Sequence, residues 1–173
     1  TDWDRFSGSI LTNSEALQQF RAYRMRALTE AEYREAVLAL RTIYSALQLS
    51  VSNATMVANS KALFHLLPEL VPPIDRQYTV RFFTQVPELW RDRKGKYSQV
   101  SLPSSRDAQF DQFADICVRI KRIADRLQAE ILDGESHRGI GAPKALDKAI
   151  VNYVSIVGAM PSDRTALRNA SAE

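Results

Sequence analysis

A chain of 173 residues is long enough for one well-buried domain and short for two. With 45% apolar and 25% charged residues it has ordinary globular composition, which excludes a disordered chain, and no apolar run approaches the roughly 20 residues of a membrane span. The net charge of +3 is only mildly basic, so any nucleic-acid contact must come from how charge is distributed and not from its total.

Cys117 is the single cysteine, which excludes an internal disulfide and a cysteine-based metal cluster. Residues 1–9, "TDWDRFSGS", lack the basic-then-apolar pattern of a secretion signal. A reducing cytoplasm is therefore the expected location, with no membrane as partner.

Along the chain, Asn13 is expected to open the first helix, with Leu17, Phe20 and Leu28 facing inward. The signal strengthens at "TEAEYREAVLALRTIYSAL". Thr29 and Glu32 have capping-box spacing, and Tyr33, Val37, Leu40, Tyr44 and Leu47 recur at helical intervals. A third apolar stretch, Met56 to Leu67, ends at Pro68, which cannot continue a helix without losing a hydrogen bond. Asp75 then occupies an N-cap position before "RQYTVRFF".

Between Val86 and Ser104 the periodicity fades into a surface loop around a short turn. The longest helix follows, capped by Ser104 and Asp107. Its inward positions are Phe110, Phe113, Cys117, Ile120, Ala124, Leu127 and Ile131, until Gly134 stops it. After the connector "ESHRGIGA", Pro143 starts the last helix, with Leu146, Ile150, Tyr153 and Val157 inward. The expected organisation is a single all-α domain over residues 1–161, of five or six helices around one long central helix. Residues 162–173 are expected to form a frayed tail.

Candidate chemistry concentrates in residues 59–79, "NSKALFHLLPELVPPIDRQYT". Lys61 and His65 are four apart and share a helix face, enough to hold a phosphate or assist a proton transfer. A snorkelling lysine beside a histidine that caps carbonyls explains the same pair without function. Asp75 is a capping residue by position. Two prolines stiffen its approach, which also suits a functional carboxylate. Arg76 stands at a first helical position, where positive charge gains nothing from the helix dipole, so it is expected to have a carboxylate or a bound anion as partner.

Two weaker clusters follow. "RDRKGKY" places Arg91, Arg93, Lys94 and Lys96 beside Trp90 and Tyr97, a basic and aromatic mixture that binds nucleic acid or simply forms a solvated loop. "HRGIGAPK" offers backbone N–H groups and Lys144 at a helix start, where an anion can sit. Tyr78, Phe82 and Phe83 read as core. No HExxH, paired cysteines, nucleophile elbow or Walker-type loop is present, and two histidines far apart give no histidine-rich metal site. Neither a metal nor a cofactor is expected.

The run from Asn59 to Phe83 resembles the NSKxLxHLLPxLVPPIDRxYTxxFF signature of an uncharacterised bacterial protein family. "APKALDKAIVNYV", residues 142–154, resembles a second block shared by that family, and the resemblance implies a fold but no activity. The order of Lys61, an apolar helix, Pro72, Pro73 and a helix-opening Asp75 is also similar to the late part of helix-hairpin-helix DNA glycosylases. That resemblance implies Asp75 as an active-site carboxylate and Lys61 in the hairpin position. The chain departs from it in having "MVANSK" where the Gly-x-Gly turn stands, and in a shorter lysine-to-aspartate spacing.

The leading expectation is contact with nucleic acid or another phosphate-bearing ligand at a cleft around Lys61 and Asp75. Asp75 and His65 would carry any catalysis there, and Asn59, Ser60, Lys61, Arg76 and Lys144 would hold the ligand. The alternative is an interaction or scaffold module, a homodimer through an apolar helix face, with this stretch as architecture. A third reading is a small-molecule enzyme using Asp75.

Overall fold

Apolar residues at helical spacing govern this chain, and the structure they produce is all-α. The computed structural model describes residues 3–47, 49, 54–92, 95–127 and 141–159. In chain order its helices are α1 (Trp3–Thr12), α2 (Ser14–Phe20), α3 (Glu30–Ala39), α4 (Arg41–Ala46), α5 (Met56–Leu66), α6 (Arg81–Thr84), α7 (Arg106–Arg126) and α8 (Ala142–Ala159). Turns of 3₁₀ type at Met25–Ala27 and Pro87–Leu89, and a π-type turn at Arg76–Val80, interrupt the connections. Among the described residues, extended pairing is confined to one antiparallel bridge between Arg91 and Tyr97, and no helix is long and apolar enough to cross a membrane.

Helix α7 is the spine. Phe110, Phe113, Cys117, Ile120 and Ala124 are buried, as a 3–4 spacing on one face requires, and Leu127 is partly buried against them. The expected continuation through Ile131 to a stop at Gly134 lies outside the described residues. The cap is Ser105 and not Ser104 or Asp107. Its Oγ accepts from the Ala108 N–H at 3.1 Å, three residues on, which Ser104 is one position too early to do.

Helices α3, α4, α5 and α8 pack on this spine. The Thr29 and Glu32 capping box forms as expected. The helix it starts is not continuous to Leu47. At Leu40 the N–H turns back to the Val37 carbonyl three residues before it, and the kink keeps Leu40, Ile43, Tyr44 and Leu47 all inward. Arg122 gives two hydrogen bonds to Glu30, and Arg41 pairs with Asp111 while lying over the Phe110 ring at 4.3 Å, so α3 and α4 run antiparallel to α7. Exposed pairs of this kind stabilise little. The weight falls on the rings beneath, where Tyr44 lies 5.1 Å from Phe110 and 5.2 Å from Phe113.

At the N-terminus, α1 precedes the expected first helix. Asn13 spends its amide on the Ser9 carbonyl at 2.7 Å instead of capping α2. Leu17 and Phe20 are buried and Leu28 is half-buried. In α8, Leu146 and Ile150 face the core, but Tyr153 is 48% exposed. The inward stripe passes through Val154, and Tyr153 lies about 100° away from it around the helix.

The segment from 86 to 104 is anchored more firmly than a surface loop. Trp90 and Val100 are buried, and Arg81 is 1% exposed beneath the loop. Arg81 donates to the carbonyls of Gln77 (2.7 Å), Trp90 (2.8 Å) and Ser98, and to the side chains of Gln85 and Ser98. Every one of these acceptors is neutral, and burial pulls the guanidinium below the usual arginine range.

Truncation of Ile120, fully buried at the centre of α7, should cost about 2–5 kcal/mol in Ile120→Ala. Denaturant melts check it; a loss near zero would place α7 at the periphery.

Candidate functional site

The site begins with a problem of backbone chemistry. After α5 the chain runs through the core without helix, and Leu67, Leu70, Val71, Pro72, Pro73 and Ile74 are all buried. Buried peptide groups need partners. Leu70 and Val71 donate to the Leu67 carbonyl, Met25 N–H donates to the Glu69 carbonyl (2.8 Å), and the Tyr33 hydroxyl donates to the Leu70 carbonyl (2.9 Å). The prolines present no N–H at all. Ser60 closes the corner, its Oγ accepting from Ile74 N–H (3.2 Å) and lying 3.3 Å from the Ile74 carbonyl.

This assigns the first two residues of the stretch to structure. Ser60 and Asn59, expected at a ligand, are buried, and the Asn59 amide donates to the Tyr44 carbonyl at 2.9 Å. The signal was present in the sequence, because Met56, Ser60, Leu63 and Leu67 form one stripe of α5. A polar residue on an apolar stripe is placed by the core.

Asp75 emerges from the corner as an N-cap. Its Oδ1 accepts from Gln77 N–H (2.7 Å) and Tyr78 N–H (3.1 Å), as expected of a cap. The turn it heads is wide, with Val80 N–H reaching the Asp75 carbonyl five residues back at 2.9 Å. Oδ2 points to Lys61, whose ammonium is 3.9 Å away, and the two side chains are 35% and 52% exposed.

A second pair lies alongside. Lys144 bonds Asp147 at 2.7 Å and sits 5.9 Å from the centre of the Phe64 ring, one turn beyond Lys61 on α5. Asp147 is buried, and its Oδ1 accepts from the Thr79 hydroxyl (3.2 Å), which in turn accepts from Asp75 N–H (3.3 Å). The two pairs are thus joined through Thr79. Sequence reasoning missed Thr79 and Asp147; the available signal was Asp147 on the inward stripe of α8 between Pro143 and Ile150.

The other candidates are placed elsewhere or are already engaged. His65 is exposed and touches the Phe64 ring at 5.3 Å, and among the described residues it has no hydrogen bond or ion pair. Arg76 has its partner, but it is neither a carboxylate nor an anion: Nε donates to the Val100 carbonyl at 2.6 Å. Arg91 lies over Tyr97 at 4.3 Å and donates to the Gly95 carbonyl, while Lys96 is exposed in the same tight turn, where Gly95 has φ +74°. Arg93 and Lys94 lie outside the described residues. Trp90, expected beside them for stacking, is core, with Nε1 donating to the Gln85 carbonyl. Tyr78, Phe82 and Phe83 are partly buried.

At the start of α8 the chain supplies its own anion. The Glu69 carboxylate lies so close to Gly141 that an added Cβ would come within 2.6 Å of its Oε1. A negative group at a helix N-terminus is favourable there. Lys144 is meanwhile turned to Asp147. Only the part of "HRGIGAPK" from Gly141 onward is among the described residues.

No protein-family model matches this chain, and neither the curated proteins nor the solved structures contain a match to it.

Two substitutions separate cap from clamp. Asp75→Asn keeps an oxygen for both N–H groups and should change stability by no more than about 1 kcal/mol. Ser60→Ala strands the Ile74 N–H in the core and should cost about 1–3 kcal/mol. Urea melts of both variants give the comparison, and equal losses would contradict it.

Proposed function

We propose that this chain binds a phosphate-bearing ligand, nucleic acid foremost, on the surface where Lys61, Asp75, Phe64 and Lys144 meet. The observation that carries the reading is the 3.9 Å approach of Lys61 to Asp75. That distance is beyond hydrogen-bond range, so the contact is Coulombic, and between half-exposed groups it stabilises by about 0–1 kcal/mol at most. A phosphate oxygen can replace the carboxylate as the partner of Lys61 at little loss. Asp75 would stay in place, because two backbone N–H groups hold its other oxygen.

The remaining groups suit such a ligand. Phe64 is half-buried, with Lys144 near its ring, so a base can stack where cations flank it. Asp147 fixes Lys144, and Thr79 couples that pair to the Asp75 turn, so the surface is preorganised. Asp75 is the carboxylate available to accept a proton or to stabilise a developing cation beside the ligand. The order of Lys61, an apolar helix, Pro72, Pro73 and a helix-opening Asp75 resembles the late part of helix-hairpin-helix DNA glycosylases, which makes single-stranded or unstacked DNA the first ligand to try.

The test is a thermal-shift and fluorescence-anisotropy series with nucleotides, inorganic phosphate, and single- and double-stranded oligonucleotides at low salt. Wild type should bind at least one of them, with affinity falling as salt rises. Lys61→Gln, at a half-exposed site, should fold normally and bind about tenfold more weakly, with the salt slope reduced by roughly one phosphate contact. Binding unaffected by Lys61→Gln, or no response to any ligand in the series, rules the reading out.

A further inference from the structure

Exchange of partners at Lys61 has a second half, because an anion that takes the lysine deprives Asp75 of its cation. The carboxylate cannot follow. Asp75 Oδ1 is held by the N–H groups of Gln77 and Tyr78, at 2.7 and 3.1 Å. Among the described residues Oδ2 accepts no hydrogen bond, and the Lys61 ammonium at 3.9 Å is its ion-pair partner.

Neighbouring cations do not stand in. Arg76 gives Nε to the Val100 carbonyl, and Lys144 is turned to the buried Asp147. A phosphate oxygen bonded to Lys61 at about 2.8 Å lies within roughly 7 Å of Oδ2, inside the screening length of physiological salt. Two anions would then share one lysine. A bare phosphate is therefore opposed by Asp75 as well as attracted by Lys61.

The balance is restored by a ligand that brings a donor to Oδ2 as it brings an anion to Lys61. An ionised carboxylate only accepts, so the donor belongs to the ligand. Nucleic acid carries such donors as the exocyclic amines of cytosine, adenine and guanine. Thymine presents a carbonyl oxygen where cytosine has its amine, and a carboxylate repels that oxygen. Stacking on the half-buried Phe64 does not choose among bases, since every base has a π-face. Choice falls to Asp75.

We infer that Asp75 sets the specificity of this surface, selecting unpaired nucleic acid whose base carries an exocyclic amine. The phosphate goes to Lys61 and the amine to Asp75 Oδ2. This inference rests on the reading of a phosphate-bearing ligand and adds which base that ligand carries.

Fluorescence anisotropy with oligo-dC and oligo-dT of equal length tests it, at low salt and a mildly alkaline pH where cytosine is neutral. A third oligomer, built on 2-pyrimidinone, lacks only the amine of cytosine. Wild type should bind oligo-dC roughly tenfold more tightly than either of the others. Asp75→Asn keeps an oxygen for the two N–H groups and places an amide donor where Oδ2 was. It should reverse the order, binding oligo-dT more tightly than oligo-dC. Asp75→Ser still caps the turn but carries no carboxylate, and it should bind the two alike. Lys61→Gln should weaken both oligomers by the same factor and leave their ratio unchanged. Circular dichroism melts confirm that each variant is folded.

Wild-type affinities for oligo-dC and oligo-dT that agree within about twofold overturn the inference. So does a preference for oligo-dC that survives in Asp75→Asn. In both cases the phosphate reading stands if binding falls with salt and with Lys61→Gln, whereas no binding of any oligomer removes both.

Discussion

Between Leu67 and Asp75 an irregular stretch of backbone crosses the core, and each buried peptide group left without a partner there would cost on the order of 1–3 kcal/mol. Partners come from distant parts of the chain: Met25 from the first 3₁₀ turn, Tyr33 from α3 and Ser60 from α5. Two of the positions are prolines, which remove the N–H that would otherwise need satisfying. The arrangement of α3, α5 and the Met25 turn around this stretch is thus fixed by hydrogen bonds as well as by packing. Tyr33 is fully buried there, and that burial raises its hydroxyl pKa well above the ordinary tyrosine value. Cys117 lies in the same interior, its thiol also pushed upward by burial.

The consequence for function is the position of Asp75. A carboxylate at the end of a mobile loop would adjust to any cation that came near. Here the segment before it is held inside the protein, and its own Oδ1 is held by two N–H groups of the turn it heads. Only Oδ2 is turned toward Lys61. The corner and the candidate site are therefore one piece of structure, with the buried residues as its foundation and Lys61 and the free side of Asp75 facing solvent.

Cations inside this protein are handled by short-range hydrogen bonds. Arg81 is wrapped by carbonyls and neutral side chains, and buried Lys121 is turned to Asp125 one helical turn away. Lys144 is held by the buried Asp147. The buried Arg81 and Lys121 lose heavily if a partner is removed, and they are correspondingly poor at exchanging partners. Lys61 is different, because its contact with Asp75 lacks the short hydrogen bond. The same contrast separates Arg91, folded onto Tyr97, from a cation free to meet a phosphate.

Local signals were sufficient for much of what near neighbours in sequence set, though not for the cap of α7, the role of Asn13 or the break at Leu40. The stepped positions of α7 faced the core, the Thr29 and Glu32 box formed, Pro68 followed the end of α5, and Asp75 capped the turn after it. Each depends on residues within a few positions of one another, where spacing and hydrogen-bond reach are readable from the order of residues. Tertiary structure decided the rest. Gln109, deep in the α7 face, accepts from Thr55 and Met56 and so closes the start of α5 from 53 or more residues away. Ser60 turns inward because Ile74 needs it, Glu69 fills the space over Gly141, and Tyr153 faces out because Val154 holds the core position. The meeting of Lys61 with Asp75 and of Lys144 with Asp147 and Thr79 belongs here as well. A polar side chain takes the partner that folding brings to it, and sequence order alone does not say which one that is.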